Sequence, residues 1–246
     1  MINATIEVRM TSSRLPGKIM MTAGGLSMLE ILVRRLSNSN YIENIIVATT
    51  INKQDDPIVD FCKDNGILFY RGSEHNVLAR VCEAAEKYDT DVLVQITGDC
   101  PLIDYQLVDD AIRKFLSIYP GSRFVSNTGP EISMPWGFDV QIYKAKELRQ
   151  ILSDSPGEKD RENVSHRFYL SEYSEVYKPV IIKYKGVKNR PELRVTLDHL
   201  EDYNLIKDIV EDFGVEKLNN YGIEDIIAWL DNHPDKRDLV IKKHSE

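Results

Sequence analysis

Short β-branched runs alternate with amphipathic stretches through the first half of the chain, and this alternation limits the fold more than any other feature. Ala4, Ile6 and Val8 mark a first buried strand, Met28 to Leu36 a helix, Ile45 to Thr50 a second strand, and Asp55 to Asn65 a helix stopped by Gly66. Leu68 to Tyr70 begins a third strand, the later half of Arg71 to Tyr88 is helical, and Asp91 to Ile96 forms a fourth. Asp104 then caps a helix that carries Leu107, Val108, Ala111, Ile112 and Phe115 on one face. Such alternation predicts an α/β fold, a mostly parallel sheet with helices on both faces. Ligands bind beyond the carboxyl ends of the strands in sheets of this kind.

Two of those ends carry chemistry. The first strand opens into Val8 to Lys18, VRMTSSRLPGK, where Arg9, Arg14 and Lys18 surround Thr11, Ser12 and Ser13 and the stretch ends in Pro16-Gly17. Cations, hydroxyls and free backbone N–H groups in one loop suit a polyphosphate, the guanidinium matching planar phosphate oxygens and the lysine adding a point charge. The alternative for this stretch alone is a basic surface turn. It is not a Walker A loop, because no GxxxxGK precedes a Ser or Thr. The fourth strand runs into Thr97-Gly98-Asp99. Asp99 and Asp198 each follow a predicted strand directly; either alone reads as a helix cap or turn residue, but two carboxylates at neighbouring strand ends beside such a loop suit Mg²⁺, which binds one or two carboxylates together with substrate phosphates. The five histidines are scattered, so no histidine metal site competes; a Ser/His/Asp or Cys/His hydrolase stays open by residue count, though no GxSxG elbow supports it.

The second half is less regular. Arg123 to Asn127 and Phe138 to Tyr143 alternate like strands, Lys144 to Ser153 and Arg161 to Tyr173 read as helices, and Val176 to Tyr184 and Leu193 to Leu197 read as strands. Two helices, Leu200 to Phe213 and Ile223 to Asn232, are expected to close the fold, the second stopped by His233-Pro234. With no repeat or long linker, one domain over residues 1–246 is expected, with an inserted arm at about 128–184. A net charge of −8 argues against a general nucleic-acid or membrane-surface binder. Three cysteines without CxxC spacing, and no apolar run of ~18 residues, point to a soluble, cytoplasmic protein with reduced thiols.

The loop, together with IIVATT, YRGSEHNVLAR, VQITGDCPLID, SNTGPEISMPWGFDVQIY, LRVTLDHLED and IEDIIAWLDNHP, resembles the sugar-activating cytidylyltransferases, the group of CMP-Kdo and CMP-acylneuraminate synthetases, and within it the spore coat polysaccharide branch. The resemblance spans nearly the whole chain. It implies a Rossmann-like three-layer αβα fold with a mostly parallel mixed sheet, Mg²⁺ dependence, and transfer of CMP from CTP to an anionic sugar acid with release of pyrophosphate. By motif, Arg9, Ser13 and Lys18 would hold the phosphates, with Val8, Ser12 and Arg14 in the same loop and Arg71 and Arg80 beside the nucleotide. Asp99 and Asp198 would be the metal acids, and Arg9, Lys18, Asp99 and Asp198 the catalytic set. Homodimerisation through the arm is also implied.

Three departures from the family pattern stand out. The family has Gln-Ala-Arg or Pro-Ala-Arg where this chain has Glu7-Val8-Arg9. Gly137-Phe138-Asp139-Val140-Gln141 replaces Gly-x-Asp-x-Glu, and Arg161-Glu162-Asn163-Val164-Ser165 replaces Arg-Glu-His-Val-Thr. The last two segments face the sugar in relatives, so Gln141, Arg161, Asn163 and Arg167 are expected to bind the acceptor. On a helix, Asn163 and Arg167 would share one face and favour an additional anionic or strongly polar acceptor group, the alternative being that Arg167 lies on a solvated helix face. A phosphorylated sugar or phosphonate acceptor, or an inactive binding homologue, are the alternatives. A glycosyltransferase is disfavoured, since no DxD closes the fourth strand.

Overall fold

The polar and apolar alternation inside the first strand decides what each face of the sheet must cover. The computed structural model describes residues 1–129 and 132–245. In β1 (Ile2–Glu7), Ala4 and Ile6 enter the main core, which leaves Asn3, Thr5 and Glu7 on the opposite face. A small hairpin of β2 (Thr22–Ala23) and β3 (Leu26–Ser27) leads into α1 (Met28–Leu36), capped by Ser27, whose side chain accepts from the Glu30 N–H. Then come β4 (Asn44–Thr50), α2 (Asp56–Asp64), β5 (Leu68–Gly72), α3 (Val77–Lys87), β6 (Val92–Thr97) and α4 (Tyr105–Ile118). The remainder comprises β7 (Phe124–Ser126), β8 (Gln141–Lys144), α5 (Ala145–Ser153), α6 (Glu158–Glu162), α7 (Ser174–Tyr177), β9 (Val180–Ile181), α8 (Leu200–Phe213), α9 (Ile223–Asn232) and α10 (Pro234–Lys243).

The sheet order is β5-β4-β1-β6-β8-β7-β9. β8 pairs antiparallel with both β6 and β7, while the other neighbouring pairs are parallel. The chain builds outward from β1 to β4 to β5, then α3 carries it back to β6 on the other side of β1. The order reverses between β1 and β6, and their carboxyl ends open the crevice that open α/β sheets use for ligands.

Alternation sorts the core into layers. Ile6, Val47, Val94 and Ile96 pack with α1, α4, α8 and α9. Leu93 faces the other way, into a second cluster with Leu78 and Val81 of α3 and with Leu148 of α5. That cluster is built around stacked rings: Phe168 lies 4.7 Å from Phe124 and 5.0 Å from Tyr143. Among the described residues no helix is long and apolar enough to cross a membrane.

The irregular second half corrects several expectations. Arg161 to Tyr173 is not one helix. α6 ends at Glu162, Asn163 is extended (φ −114°, ψ 103°), and two short 3₁₀ turns follow at His166–Tyr169 and Ser171–Tyr173. Burial of Val164 and Phe168 in the second cluster sets this path, against local helical spacing. Val176 to Tyr184 yields only the two-residue β9, because Ser174–Tyr177 is helical and the left-handed Lys178 precedes Pro179. Leu193 to Leu197 is extended, and Leu193, Val195 and Leu197 are buried as alternation predicts. It nevertheless forms no ladder: the Val195 N–H donates to Trp136 O (2.8 Å) and the Leu197 N–H to Asp99 O (2.8 Å). Of Phe138 to Tyr143, only the end joins β8. α9 stops at His233-Pro234 as expected, but Pro234 also begins a third closing helix that was not expected, since proline fits a helix's first turn. Within 128–184, β8 and β9 belong to the central sheet and α5 packs against α3.

Candidate active site

The loop after β1 is closed on itself. The Gly17 N–H donates to Met10 O (2.8 Å), and Gly17 takes φ +74°, a left-handed conformation that accounts for glycine after Pro16. The buried Asp55, held by the Thr50 hydroxyl, accepts from the Met10 N–H (2.6 Å) and fixes the loop to the end of β4. The loop walls a cavity of about 250 Å³ with Val8, Arg9, Ser12, Ser13, Arg14 and Lys18. Gly98, Asp99 and Asp198 form the facing wall. A Cβ on Gly98 would lie 2.4 Å from Val8 Cγ1 and 2.9 Å from Glu7 O, so only glycine lets the ends of β1 and β6 pass this closely.

Asp198 is the electrostatic centre of this cavity. Its Oδ1 meets Arg14 (2.9 Å) and Lys18 (3.1 Å), and its Oδ2 meets Arg194 (2.9 Å). Lys18 also donates to Leu197 O. Burial pushes the Asp198 carboxyl up, but Lys18, Arg14 and Arg194 together outweigh it and hold the group below the ordinary aspartate range. The Thr97 hydroxyl donates to Asp99.

A second cavity of about 680 Å³ opens alongside and shares Glu7, Val8, Arg9, Thr97 and Asp99 with the first. Gln141 and Asn163 line it, as expected of acceptor-binding residues, and so do Arg80 and Asp139. Its walls carry the carboxylates of Glu7, Glu74, Asp99, Asp139, Glu158 and Glu162 against the guanidinium groups of Arg9 and Arg80. Burial, with the charge of Asp99 second, raises Asp139 to about 7. Burial also raises Glu7 to about 7, despite hydrogen bonds from Thr5 and Gln95 that favour its ionised form. Arg9 is exposed and pairs with Glu74 at 3.3 Å.

Three expected site residues lie elsewhere. Arg167 is buried and donates to Asp160 (Nη2 2.8 Å, Nε 3.3 Å) and Asp154 (3.3 Å), with its guanidinium 5.2 Å over the Tyr173 ring. It is a core ion pair, and it shares no helical face with Asn163. Arg161 is exposed and absent from both cavity linings. Arg71 is spent on Thr50 O (2.8 Å), Asn52 O (2.6 Å) and Asp56 (2.7 Å), behind the β4–β5 end, and lines neither cavity.

Sequence reasoning set Glu7 beside the loop and Asp139 in a segment facing the acceptor but gave neither a role, and it did not reach Thr5 or Gln95. The β1–β6 register sets Thr5 opposite Gln95 and Glu7 opposite Thr97, which puts the polar positions of two central strands on one face. Polar residues at alternate positions of otherwise apolar central strands were the available signal.

A phosphate-shaped loop and paired acids at the reversal point of a mostly parallel sheet define a nucleotide-binding α/β protein. The family follows from the sequence as a whole: a family model of cytidylyltransferases matches residues 4–221, and the chain belongs to that family. It is 31% identical over 234 residues to an uncharacterized protein of Methanocaldococcus jannaschii, covering 95% of this chain and 92% of that one. It is 27% identical over 234 residues to the spore coat polysaccharide biosynthesis protein SpsF of Bacillus subtilis, covering 94% of each. The solved structure of a cytidylyltransferase from Leptospira borgpetersenii matches with a TM-score of 0.87 at 29% identity, over 96% of both chains.

Proposed function

We propose that this chain transfers CMP from CTP to a sugar acid of the nonulosonate or Kdo type, releasing pyrophosphate, in cell-surface polysaccharide synthesis. The observation that carries the reading is the junction of two cavities at Glu7–Arg9 and Thr97–Asp99. The smaller one, rich in cations and hydroxyls, takes the triphosphate, and the larger one takes the acceptor. Lys18 and Arg14 would turn from Asp198 to the outer phosphates, while Arg9 stands at the shared wall near the α-phosphate. Gln141 and Asn163 would orient the sugar from β8 and the end of α6. The spore coat relative supports a polysaccharide precursor as the acceptor.

The residues present fit Mg²⁺. Among the described residues no group of three or more His, Cys, Asp or Glu side chains forms a preset cage, which agrees with a cation that takes one or two carboxylates and completes its shell with phosphates and water. Asp99 and Asp139 are close enough for the charge of one to raise the other, a strain that a divalent cation relieves. Asp198 would have to release a guanidinium before it could join them. When bound, the ion would neutralise charge developing on the phosphate under attack. The same reading places the protein in the cytoplasm as a homodimer.

The test is pyrophosphate release from each of the four nucleoside triphosphates with a panel of 2-ulosonic acids and Mg²⁺, with mass spectrometry of the product. CTP-specific release and a CMP adduct are expected. Release with no acceptor, or with a sugar 1-phosphate alone, would overturn the acceptor assignment.

A further inference from the structure

We propose that Glu7 accepts the proton of the attacking acceptor hydroxyl, a catalytic role at a position where the family pattern carries glutamine or proline. The proposal rests on the CMP-transfer reading above. Glu7 lines both cavities, so its carboxylate sits where the acceptor must meet the α-phosphate. Its placement is fixed by an internal chain. The fully buried Tyr143 hydroxyl donates to Gln95 Oε1 (2.6 Å), which turns the Gln95 amide so that Nε2 donates to Glu7 Oε2 (3.1 Å). The Thr5 hydroxyl donates to Glu7 Oε1 (2.9 Å). Each oxygen thus takes one hydrogen bond and keeps a lone pair for the cavity.

The groups facing Glu7 are Arg80 from α3, Arg9 from its own loop, Asp99 beyond β6 and Tyr143 on β8, while Asp139 lines the same cavity. Near-neutral titration, the consequence of burial, suits a proton acceptor working at physiological pH. In the step, the acceptor oxygen forms a bond to the α-phosphorus as its proton passes to Glu7. The bond from that phosphorus to the bridging oxygen breaks, and its electron pair leaves with pyrophosphate. Glu7 then releases the proton to solvent.

Glu7→Gln keeps the size and the hydrogen-bonding partners, and it restores a residue of the family pattern. With CTP, Mg²⁺ and saturating acceptor, kcat is expected to fall at least ~10²-fold, the lower end of general-base effects. The rise of kcat with pH should vanish, while CTP affinity by calorimetry stays within about threefold. Asp139→Asn, assayed alongside, should keep that pH limb. Loss of the limb in Asp139→Asn with its retention in Glu7→Gln would overturn the proposal, and so would a Glu7→Gln kcat within threefold of the parent. If the parent transfers CMP to no acid at all, the underlying reading fails. With it falls the proton-accepting role, whereas a parent that transfers CMP beside a Glu7→Gln variant of equal kcat overturns that role alone.

Discussion

Replacing Asp198 by asparagine removes one charge from beneath three cations. Asp198 is 5% exposed, Lys18 15%, Arg194 19% and Arg14 55%. Breaking a buried ion pair by deleting one partner costs about 3–5 kcal/mol, whereas an exposed pair such as Arg14's is worth ~0–1 kcal/mol. The amide oxygen still accepts one hydrogen bond and Lys18 keeps Leu197 O, so about 2–3 kcal/mol is expected. In a domain of this size that lowers Tm by roughly 5–10 °C. The pH dependence has a definite sign. The folded Asp198 carboxyl titrates below its unfolded value, so its contribution is present above ~3.9 and is lost as pH falls through the folded pKa. The Tm gap between parent and variant should hold from pH 8 down to about 4 and close only below that, as pH falls through the folded pKa. Metal-free CTP should raise the Tm of Asp198→Asn by more than that of the parent, because Lys18 and Arg14 no longer have to leave a carboxylate to meet phosphates. Differential scanning fluorimetry with and without CTP reads both effects. A Tm within 2 °C of the parent would refute the clamp, and a smaller CTP shift in the variant would remove Lys18 and Arg14 from the phosphate site.

Arg167→Ala should lose about 2–4 kcal/mol in urea unfolding, as a buried ion pair does, and leave the acceptor KM within twofold; a tenfold rise in KM would return Arg167 to the site. Gly137 has φ +105°, and a Cβ there would lie 2.7 Å from the Val195 carbonyl carbon, so Gly137→Ala should cost at least ~2 kcal/mol. Gly25→Ala, with positive φ but open space, should cost about 1 kcal/mol by the same thermal measurement. The folded Glu7 and Asp139 carboxyls titrate above their unfolded values, so the stability they add below pH ~4 disappears as pH rises through about 7. Glu7→Gln and Asp139→Asn should therefore gain stability relative to the parent between pH 5 and 8, by roughly 1–3 kcal/mol each. A gain that shrinks with rising pH would contradict the buried-acid assignment.

The regular half of the fold was legible because its strands and helices each satisfy one period over their whole length. Met28–Leu36, Leu200–Phe213 and Ile223–Asn232 fall where 3.6-residue spacing puts them. Between residues 155 and 197 the elements are shorter than the window that periodicity needs, and tertiary burial sets the path. Phe168 goes where the Phe124 and Tyr143 rings are, and the backbone around Asn163 gives way. Arg167 was misread for a related reason: composition shows a guanidinium but not that Asp160 waits seven residues upstream. Strand ends carrying cations and acids were readable in the first half. The pairing of Glu7 with Gln95 was not, because it exists only once β1 and β6 are in register.

The same register explains why polar side chains in two central strands do not weaken this sheet where it is most buried. On the Ala4–Ile6 side β1 and β6 are wholly apolar, and that face carries the main core with α1, α4, α8 and α9. On the other side Thr5 and Gln95 are buried, yet each is satisfied within the chain that ends on Glu7. A buried hydrogen-bond chain with every member paired adds rigidity and specifies one arrangement. Its single open valence is the Glu7 carboxylate at the cavity junction, the one member whose ionised form costs stability at neutral pH. A chain selected for stability alone would carry the neutral glutamine of the family pattern at that position. An acid held there, against its own desolvation and facing both cavities, is what a proton-accepting role requires.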